Sequence, residues 1–402
     1  MKKIALGVSS SISLYKAAEI IRLFQEEGYS VRVIMTEKAT RFINPFLFDS
    51  LTGERTIVSL FDEKQRPIEH ISLAEEISLL LIAPATANII GKLSSGVADD
   101  FLSTFYLAVK CPVLIAPAMN EAMYLHPRTQ ENIRRLKEIG VEVVEPESGY
   151  LACGHWGPGR LASAEKIVQK SLRLIRNREI FQNKVVLVTA GPTREFLDPV
   201  RFLSNPSSGR MGYELAREAY ELGAKVILVS GPVHLEPPFE VYVEKVITAE
   251  EMRKSVLKHY EQADVVIMAA AVADFKFSQK LSDKIKKEKI GQNLAIETTP
   301  DILQELGDLK RQQLLIGFAA ETSDIQDKAR KKLSQKNLDL MVANDVSSPN
   351  LGFGSLENEV VLLWPDGRSR KIPKMSKRKI SQEIFLEIEA MLYERQRDQG
   401  KT

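Results

Sequence analysis

The fold is decided by the stretch KIALGVSSS at residues 3 to 11, in which a short apolar run ends in three serines. A run of this length, bounded by small turn residues, is typical of a buried strand. Residues 14 to 24 then carry apolar side chains at helical spacing, Gly28 follows, and residues 31 to 35 form a second apolar run. Strand, helix and strand in this order predict a βαβ unit, the building block of an open parallel sheet.

Two further apolar runs continue this pattern. Residues 77 to 82 and 113 to 115 each lead into the tripeptide Ala-Pro-Ala, at positions 83 to 85 and 116 to 118. We interpret the runs as buried parallel strands and the tripeptides as loops. Because ligands of open α/β sheets bind beyond the carboxyl ends of the strands, both loops are expected to line a ligand crevice.

The second half restarts the pattern. A strand at residues 185 to 188, a long loop at 191 to 209, a helix at 213 to 222 and a strand at 225 to 229 are predicted. Further strands are expected at residues 265 to 269, 314 to 318, 340 to 343 and 360 to 364. The chain exceeds the size at which a single hydrophobic core stops growing. We therefore predict the α/β class, with two doubly wound, Rossmann-like domains at residues 1 to 183 and 184 to 402.

Composition limits the classes of partner. The 402 residues include 55 Lys and Arg against 53 Asp and Glu, a net charge of +2 that gives no field for nucleic acid or a membrane surface. No apolar run approaches the roughly 20 residues that a spanning helix needs. Two cysteines, Cys111 and Cys153, provide neither a disulfide framework nor a four-thiolate metal site. We expect a cytoplasmic protein with no nucleic-acid or membrane partner.

The serine turn has two interpretations. Ser9, Ser10 and Ser11 lack the G-x-G-x-x-G spacing of a dinucleotide site, but hydroxyls and amides at a helix start suit one phosphate. An ordinary helix cap explains the same serines equally well. Thr36 ends the second predicted strand, where a dinucleotide-binding fold often has an acidic ribose ligand, so its identity weighs against NAD.

For two chemically versatile residues, the sequence pattern alone does not decide between a structural and a functional role. Cys153 lies among glycines at 149, 154, 157 and 159. A lone cysteine is more often a buried structural thiol, whereas the glycines favour a lid with a reactive one. His70 precedes a predicted helical turn, and periodicity does not separate a structural histidine from a functional one.

Four motifs stand out together in the first half. They are Glu69-His70-Ile71, Ala83-Pro84-Ala85-Thr86-Ala87-Asn88, Pro117-Ala118-Met119-Asn120 with Met123, and Ala152-Cys153-Gly154 with Gly157-Pro158-Gly159-Arg160. In this combination the half resembles the homo-oligomeric flavin-containing cysteine decarboxylases, specifically phosphopantothenoylcysteine decarboxylase. The resemblance implies a flavodoxin-like flavoprotein domain that binds FMN through Gly7, Ser9, Ser10, Thr36, Pro84, Ala85, Thr86, Asn88, Ala118 and Met119. Tyr124 departs from the family, in which many members have tryptophan.

The resemblance also implies the chemistry. A carboxylate on a saturated carbon leaves only when an electron sink exists, and in this family the flavin oxidises the thiol end of the substrate to a thioaldehyde. By resemblance, His70 is the base of the oxidative and decarboxylating phase, and Asn120 holds the substrate carboxylate. Cys153 then supplies the proton that completes reduction of the enethiol product.

The second half has its own candidate nucleotide site. Ser207, Ser208 and Gly209 at a predicted helix start suit a phosphate, with simple capping as the alternative. Ser230 ends the next strand where an acidic residue would favour NAD. The lysine run at residues 284 to 287 is either a solvated face or a local polyphosphate site.

Motifs in this half again indicate a family. They are Ala269-Ala270-Ala271-Val272-Ala273-Asp274, Gly317-Phe318-Ala319-Ala320-Glu321-Thr322, and Lys336-Asn337-Leu338-Asp339 leading to Ala343-Asn344-Asp345. The half resembles phosphopantothenate-cysteine ligase. The resemblance implies CTP and Mg²⁺: the carboxylate of 4′-phosphopantothenate forms an acyl-cytidylate, and the amine of cysteine then displaces CMP. Asn205 would stabilise the acyl-cytidylate, and Lys284 would act on the phosphates. The implied CTP residues are Met268, Ala269, Ala270, Asp274, Lys284, Pro300, Asp301, Ile302, Leu303, Phe318, Lys332 and Lys336.

End to end, the chain thus resembles the bacterial fused enzyme of coenzyme A biosynthesis, which implies a homo-oligomer with trimeric decarboxylase and dimeric ligase contacts. Two other functions compete. An NAD(P)-dependent oxidoreductase would need ribose-recognition residues where Thr36 and Ser230 stand. A non-catalytic flavin-binding regulator would not need His70, Asn120 and Cys153 together.

Overall fold

The computed structural model describes residues 2–61, 68–150, 154–285, 294–321, 325–345 and 355–399. The chain divides into two compact units, Met1–Arg176 and Asn177–Thr402. Residues 177 to 183, which the sequence assigns to the first domain, pack with the second unit, where Phe181 lies 5.8 Å, centroid to centroid, from Phe385. Among the described residues, no helix is both long and apolar enough to cross a membrane.

The first unit is built on a five-stranded parallel sheet of order β2-β1-β3-β4-β5. Strand β1 is buried from Ile4 to Val8, as expected for a parallel strand covered on both faces. The chain moves outward from β1 to β2 and then crosses back to β3, so the topological switch lies between β1 and β3. The elements are β1 (Lys3–Val8), α1 (Ala17–Glu26), β2 (Ser30–Met35), α2 (Phe46–Thr52), α3 (Glu69–Glu76), β3 (Ile77–Ala85), α4 (Ala87–Ser95), α5 (Phe101–Ala108), β4 (Val113–Pro117), α6 (Glu121–Leu125), α7 (Pro127–Glu138), β5 (Glu142–Val143), β6 (Glu147–Tyr150), β7 (Trp156–Arg160) and α8 (Ala164–Arg176).

Two local predictions in this unit are wrong. The helix expected from residue 14 begins as an α-helix only at Ala17, because a 3-10 turn, Ile12–Lys16, capped by Ser11, precedes it. The Ala-Pro-Ala tripeptides are mostly strand ends rather than loops: Ala85 pairs with Pro117, and the Ala118 N–H donates to the Ala85 carbonyl over 3.0 Å.

The second unit has an eight-stranded sheet of order β12-β11-β8-β13-β16-β17-β18-β19. The strands are parallel from β12 to β17, and β18 and β19 continue antiparallel. Helices α9 and α13 pack in the core on one face, and α10, α11 and α12 pack in the core on the other. The elements are β8 (Val185–Ala190), β9 (Arg194–Phe196), β10 (Phe202–Ser204), α9 (Arg210–Glu221), β11 (Lys225–Ser230), β12 (Tyr242–Lys245), α10 (Ala249–Tyr260), β13 (Val265–Met268), β14 (Phe275–Phe277), β15 (Ile296–Thr298), α11 (Ile302–Leu309), β16 (Leu314–Glu321), α12 (Ile325–Gln335), β17 (Leu340–Asp345), β18 (Glu357–Leu363), β19 (Ser369–Ser376) and α13 (Lys377–Gln399).

The stretch from 191 to 209 is more structured than the predicted loop. It contains the antiparallel hairpin β9-β10, in which Phe196 and Phe202 pair across the strands. The chain passes from β8 to β11 and then crosses back to β13, so a second topological switch lies between β8 and β13. The predicted α/β class with two doubly wound units is confirmed, and the strand order of the first unit is the flavodoxin-like one.

Candidate functional site

Ser9 joins the strand ends at the switch point of the first unit. Its hydroxyl donates to the Pro84 carbonyl over 2.7 Å and accepts the Thr86 N–H over 3.0 Å. It also lies 3.2 Å from the Thr86 hydroxyl. Ser9 is 1% exposed, so its own hydroxyl holds β1 against β3. These contacts give Ser9 a structural role, and its role as a phosphate ligand stays a prediction.

Thr36 borders the same edge from β2. Its N–H donates to the Val8 carbonyl over 3.1 Å, while its buried hydroxyl has no hydrogen-bond partner. A buried hydroxyl without a partner is costly, which makes this atom a candidate ligand contact. Packing also requires a glycine at position 7, because a Cβ there would lie 2.7 Å from Leu102.

The residues that follow β4 contact the β6-β7 hairpin. The Met119 N–H donates to the Gly159 carbonyl over 2.9 Å. Asn120 is exposed and caps α6, its side-chain oxygen accepting the Ala122 N–H over 2.9 Å. Asn88 is likewise exposed, in the first turn of α4.

The remaining decarboxylase candidates are placed separately. His70 lies in the first turn of α3, and its ring meets Phe101 edge to face at 6.5 Å. Cys153 lies outside the described residues; the hairpin that flanks it carries an edge-to-face pair of Tyr150 and Trp156. The described contacts therefore do not bring His70 and Asn120 together. Tyr124 donates to Glu145 over 2.7 Å, and burial together with that carboxylate raises the pKa of Tyr124 to about 12.

A cavity of about 760 Å³ opens at the switch point of the second unit. Asn205 lines it, as do Ser207, Ser208 and Gly209 before α9. Of the predicted CTP residues, those that line it are Met268, Ala269, Ala270, Asp274, Pro300, Asp301, Ile302, Leu303, Phe318, Lys332 and Lys336. The site thus reaches from the start of α9 on one face of the sheet to α11 and α12 on the other.

Side-chain hydrogen bonds hold the loop at residues 269 to 274 in place. Thr189 accepts the Ala270 N–H over 3.1 Å, and Thr193 accepts the Ala273 N–H over 2.9 Å. The Asn205 amide donates to the carbonyls of Ala271 and Val272 over 3.3 and 3.0 Å. Because carbonyls need a donor, these contacts fix which way the Asn205 amide points.

The other wall of the cavity carries an ion pair. Lys336 approaches Asp301 at 2.8 Å, and Asp301 also caps α11 by accepting the Gln304 N–H over 3.0 Å. Burial opposes ionisation of Asp301, but Lys336 and this N–H outweigh it, so the pKa of Asp301 is lowered.

Lys284 is the exception among the predicted nucleotide residues. It is exposed and is not among the residues that line the cavity. The next residue, Ile285, is held by Asp198, which accepts its N–H over 3.3 Å, and by Arg201, which donates to its carbonyl over 3.0 Å.

Sequence reasoning missed several cavity residues, among them Arg210, Asn344, Asn358 and Lys377. The side-chain oxygen of Asn344 is buried without a hydrogen-bond partner. Asn344 lay in a quoted motif, but its role did not follow from spacing. The other three lie at the starts of helices or in an antiparallel strand, where no local pattern marks them.

No group of three His, Cys, Asp or Glu that could hold a metal ion occurs within the described part of the chain. Mg²⁺ commonly takes one or two carboxylates together with substrate phosphates and waters. Asp274 and Asp301 line the cavity and supply such carboxylates, so the donor set fits a metal that arrives with a nucleotide.

The fold and the two candidate sites define a two-domain protein of the α/β class with a ligand edge at each topological switch. The flavoprotein family model matches residues 1–176, and the model of the DNA/pantothenate metabolism flavoprotein C-terminal domain matches residues 181–392. The chain is 47% identical to the coenzyme A biosynthesis bifunctional protein CoaBC of Bacillus subtilis (strain 168), over 97% of each chain. It is 41% identical to the protein of the same name from Escherichia coli (strain K12), over 96% of each chain. A crystal structure of the C-terminal domain of coenzyme A biosynthesis bifunctional protein CoaBC is 43% identical, covering 54% of this chain and 100% of that one, with a TM-score of 0.47.

The chain belongs to the family of coenzyme A biosynthesis bifunctional proteins. It is a bifunctional enzyme, with a flavoprotein decarboxylase in the first unit and a ligase in the second. The predicted class of function is confirmed, and neither the oxidoreductase nor the non-catalytic regulator is supported.

Proposed function

We propose that the second unit joins 4′-phosphopantothenate to cysteine with CTP and Mg²⁺, and that the first unit decarboxylates the product, 4′-phosphopantothenoylcysteine, with FMN. One observation carries the proposal: Asn205 and eleven of the twelve expected CTP residues surround a single cavity at the switch point of the sheet. Ligands of open α/β sheets bind at that position.

The first unit fits FMN at the edge bordered by Ser10, Thr36 and the Pro84 to Thr86 segment. The unpartnered Thr36 hydroxyl supports a polar ligand there, and Ser10 adds a partly exposed hydroxyl. Bound FMN would supply the two-electron oxidation that makes loss of carbon dioxide feasible, and the matching reduction afterwards. Ser9 would act indirectly, by holding the strand ends against which the group rests.

The chain's own residues would handle the carboxylate and the protons. Asn120, exposed beside the hairpin, would hold the substrate carboxylate without adding charge. His70 would take the proton from the substrate thiol end. Cys153 would donate a proton to the product carbon, while the β6-β7 hairpin limits access of water.

In the second unit the reaction is acyl activation. The carboxylate oxygen attacks the α-phosphorus, the bond to the β-phosphate breaks, and pyrophosphate leaves. The cysteine amine then attacks the acyl carbon, and CMP leaves as the amine loses a proton. Asn205 would stabilise the acyl-cytidylate, and Lys284 would reach the phosphates from the segment held by Asp198 and Arg201.

We further infer that the enzyme works in the cytoplasm as a homo-oligomer. The hairpins of the second unit present exposed aromatic and aliphatic side chains, among them Phe202, Phe275 and Ile296, which suit a second copy of the chain. Mass photometry of the full chain should give an assembly divisible into trimers and dimers, and a monomer would contradict this.

The decisive reaction contains the purified chain, 4′-phosphopantothenate, cysteine, CTP and Mg²⁺, and is followed by mass spectrometry. Phosphopantetheine, CMP and carbon dioxide are expected, with phosphopantothenoylcysteine as a transient. Asn205→Ala should remove the cysteine adduct but still decarboxylate phosphopantothenoylcysteine added directly. Absence of the adduct with every nucleoside triphosphate would overturn the ligase assignment.

Two variants separate the steps of the decarboxylase. His70→Asn should abolish carbon dioxide release, whereas Cys153→Ser should release carbon dioxide and stall before the final reduction. His234→Asn, exposed in the second unit, and Cys111→Ser are matched controls that should keep full turnover. Complete turnover by the Cys153 variant would contradict its role as proton donor.

A further inference from the structure

One end of the cavity is bordered by two cations that the steps above do not use. Arg210 begins α9 and Lys377 begins α13, and both line the cavity. Lys377 is only 7% exposed, whereas Arg210 is exposed. Burial, and then the charge of Arg210, lower the pKa of Lys377. A polyanion bound between two cationic side chains offsets their mutual repulsion.

The surroundings of this pair also suit phosphate oxygens. Ser207, Ser208 and Gly209 lead into α9 beside it. Asn358, 1% exposed, lines the cavity at a β-bulge, where the register between β18 and β19 shifts. Bulges commonly re-aim a side chain next to an active site.

The pair lies on the α9 and α13 side of the sheet. Two of the other predicted CTP residues, Lys332 on α12 and Lys336 just after it, lie on the opposite side. A nucleotide that spans the sheet edge with its base near these lysines would direct its phosphates towards α9. This is the usual arrangement at a switch point, with phosphates at the first helix after the central strand.

We propose that Lys377, assisted by Arg210, binds the β- and γ-phosphates of CTP and stabilises pyrophosphate as it leaves. The inference rests on the proposed ligase function. As the carboxylate oxygen bonds to the α-phosphorus, the bond between that phosphorus and the oxygen bridging to the β-phosphate breaks, and its electron pair stays on that oxygen. The two side chains transfer no proton in this step, and their positive charges neutralise the negative charge that accumulates on that oxygen.

Helix packing keeps the two cations in place. Arg378, next to Lys377, forms an ion pair with Glu218 at 2.8 Å and another with Glu221, both on α9. The start of α13 is thereby tied to the helix that carries Arg210. Preorganised charges of this kind need no rearrangement when the leaving group forms.

Product inhibition of the full-length chain tests the proposal. Lys377→Met should raise the pyrophosphate inhibition constant and the KM for CTP by about 10-fold or more, the loss expected for one charge-assisted contact. Inhibition by CMP and the KM for 4′-phosphopantothenate should stay within about twofold, because those groups contact other residues. Lys377→Arg should restore most of the pyrophosphate effect. Lys379→Met, exposed on the same helix and outside the cavity lining, is the matched control.

Two results would overturn the proposal directly. One is a folded Lys377→Met protein with unchanged pyrophosphate inhibition. Another is a rise confined to the KM for 4′-phosphopantothenate, which would assign the cations to the other substrate's phosphate. If Lys377→Met has a lowered melting temperature, Arg210→Met, at an exposed position, must show the same selective weakening of pyrophosphate inhibition. If the wild type makes no cysteine adduct, the ligase function fails separately. Calorimetric titration of pyrophosphate then still tests the phosphate site, because the wild type must bind pyrophosphate and Arg210→Met must bind it more weakly.

Discussion

Replacing Thr193 tests the architecture of the ligase site most directly. Its side chain is fully buried, and its hydroxyl accepts the N–H of Ala273, which is itself only 3% exposed. Thr193→Val keeps the shape of the side chain but leaves that N–H without a partner. An unsatisfied buried donor costs about 1–3 kcal/mol.

The expected loss is measurable in urea. With a denaturant slope of about 2 kcal/mol/M, the unfolding midpoint of the second unit should fall by about 0.5–1.5 M. Tryptophan fluorescence reports this unit selectively, because Trp364 is buried in its core and Trp156 of the first unit is 64% exposed. The shift of the loop should also lower ligase kcat, on the order of 10–100-fold.

Two comparisons make the result interpretable. Thr193→Ser keeps the hydroxyl, so it should retain most of the ligase activity. Decarboxylation of added phosphopantothenoylcysteine should not change in either variant, because Thr193 lies in the second unit. A Thr193→Val protein with wild-type midpoint and wild-type ligase kcat would refute the reasoning.

Three further predictions follow from polar side-chain contacts. Ser9→Ala removes the bonds to Pro84 and Thr86, so the purified chain should carry less FMN by absorbance while ligase activity is unchanged; full flavin content would contradict this. Arg378→Met leaves the buried Glu218 and Glu221 carboxylates without this partner. It should lower the free energy of unfolding of the second unit, measured in urea, by about 3–5 kcal/mol, and a loss below about 1 kcal/mol would contradict this. Ionised Asp301 stabilises the fold at pH values above its unfolded pKa near 3.8, because its folded pKa is lower. This stabilisation is lost as the pH falls through the folded pKa. The melting temperature of Asp301→Asn should therefore lie below wild type above about pH 5 and converge with it in acid; a constant gap would refute the linkage.

The sequence predicts the sheets well because parallel strands are buried on both faces. Residues 3 to 8 and 265 to 268 read as short apolar runs, and the loops after such strands must meet at one edge. That rule accounts for the gathering of Asn205, the 269 to 274 loop and Phe318 around one cavity.

The parts that the sequence does not reveal depend on distant contacts. The β9-β10 hairpin is held by an aromatic pair across a segment rich in turn residues, which conceals its alternation. Lys377 follows Arg210 by more than 160 residues and lines the same cavity only because α13 packs on α9. The position of Lys284 beside the hairpin likewise depends on the buried carboxylate of Asp198, which reads as an ordinary turn residue in Asp198-Pro199.

Gly159 allows a close backbone approach in the first unit that any other residue would prevent. It adopts φ +122, and a Cβ at this position would lie 2.3 Å from the backbone oxygen of Met119, an atom that cannot swing aside as a side chain can. A methyl group at position 159 would therefore clash with this oxygen and separate the β6-β7 hairpin from the loop that carries Asn120. The spacing between the β6-β7 hairpin and the loop that carries Asn120 is thus set by a residue with no side chain, and substitution at 159 should push the two apart before it affects the sheet beneath them.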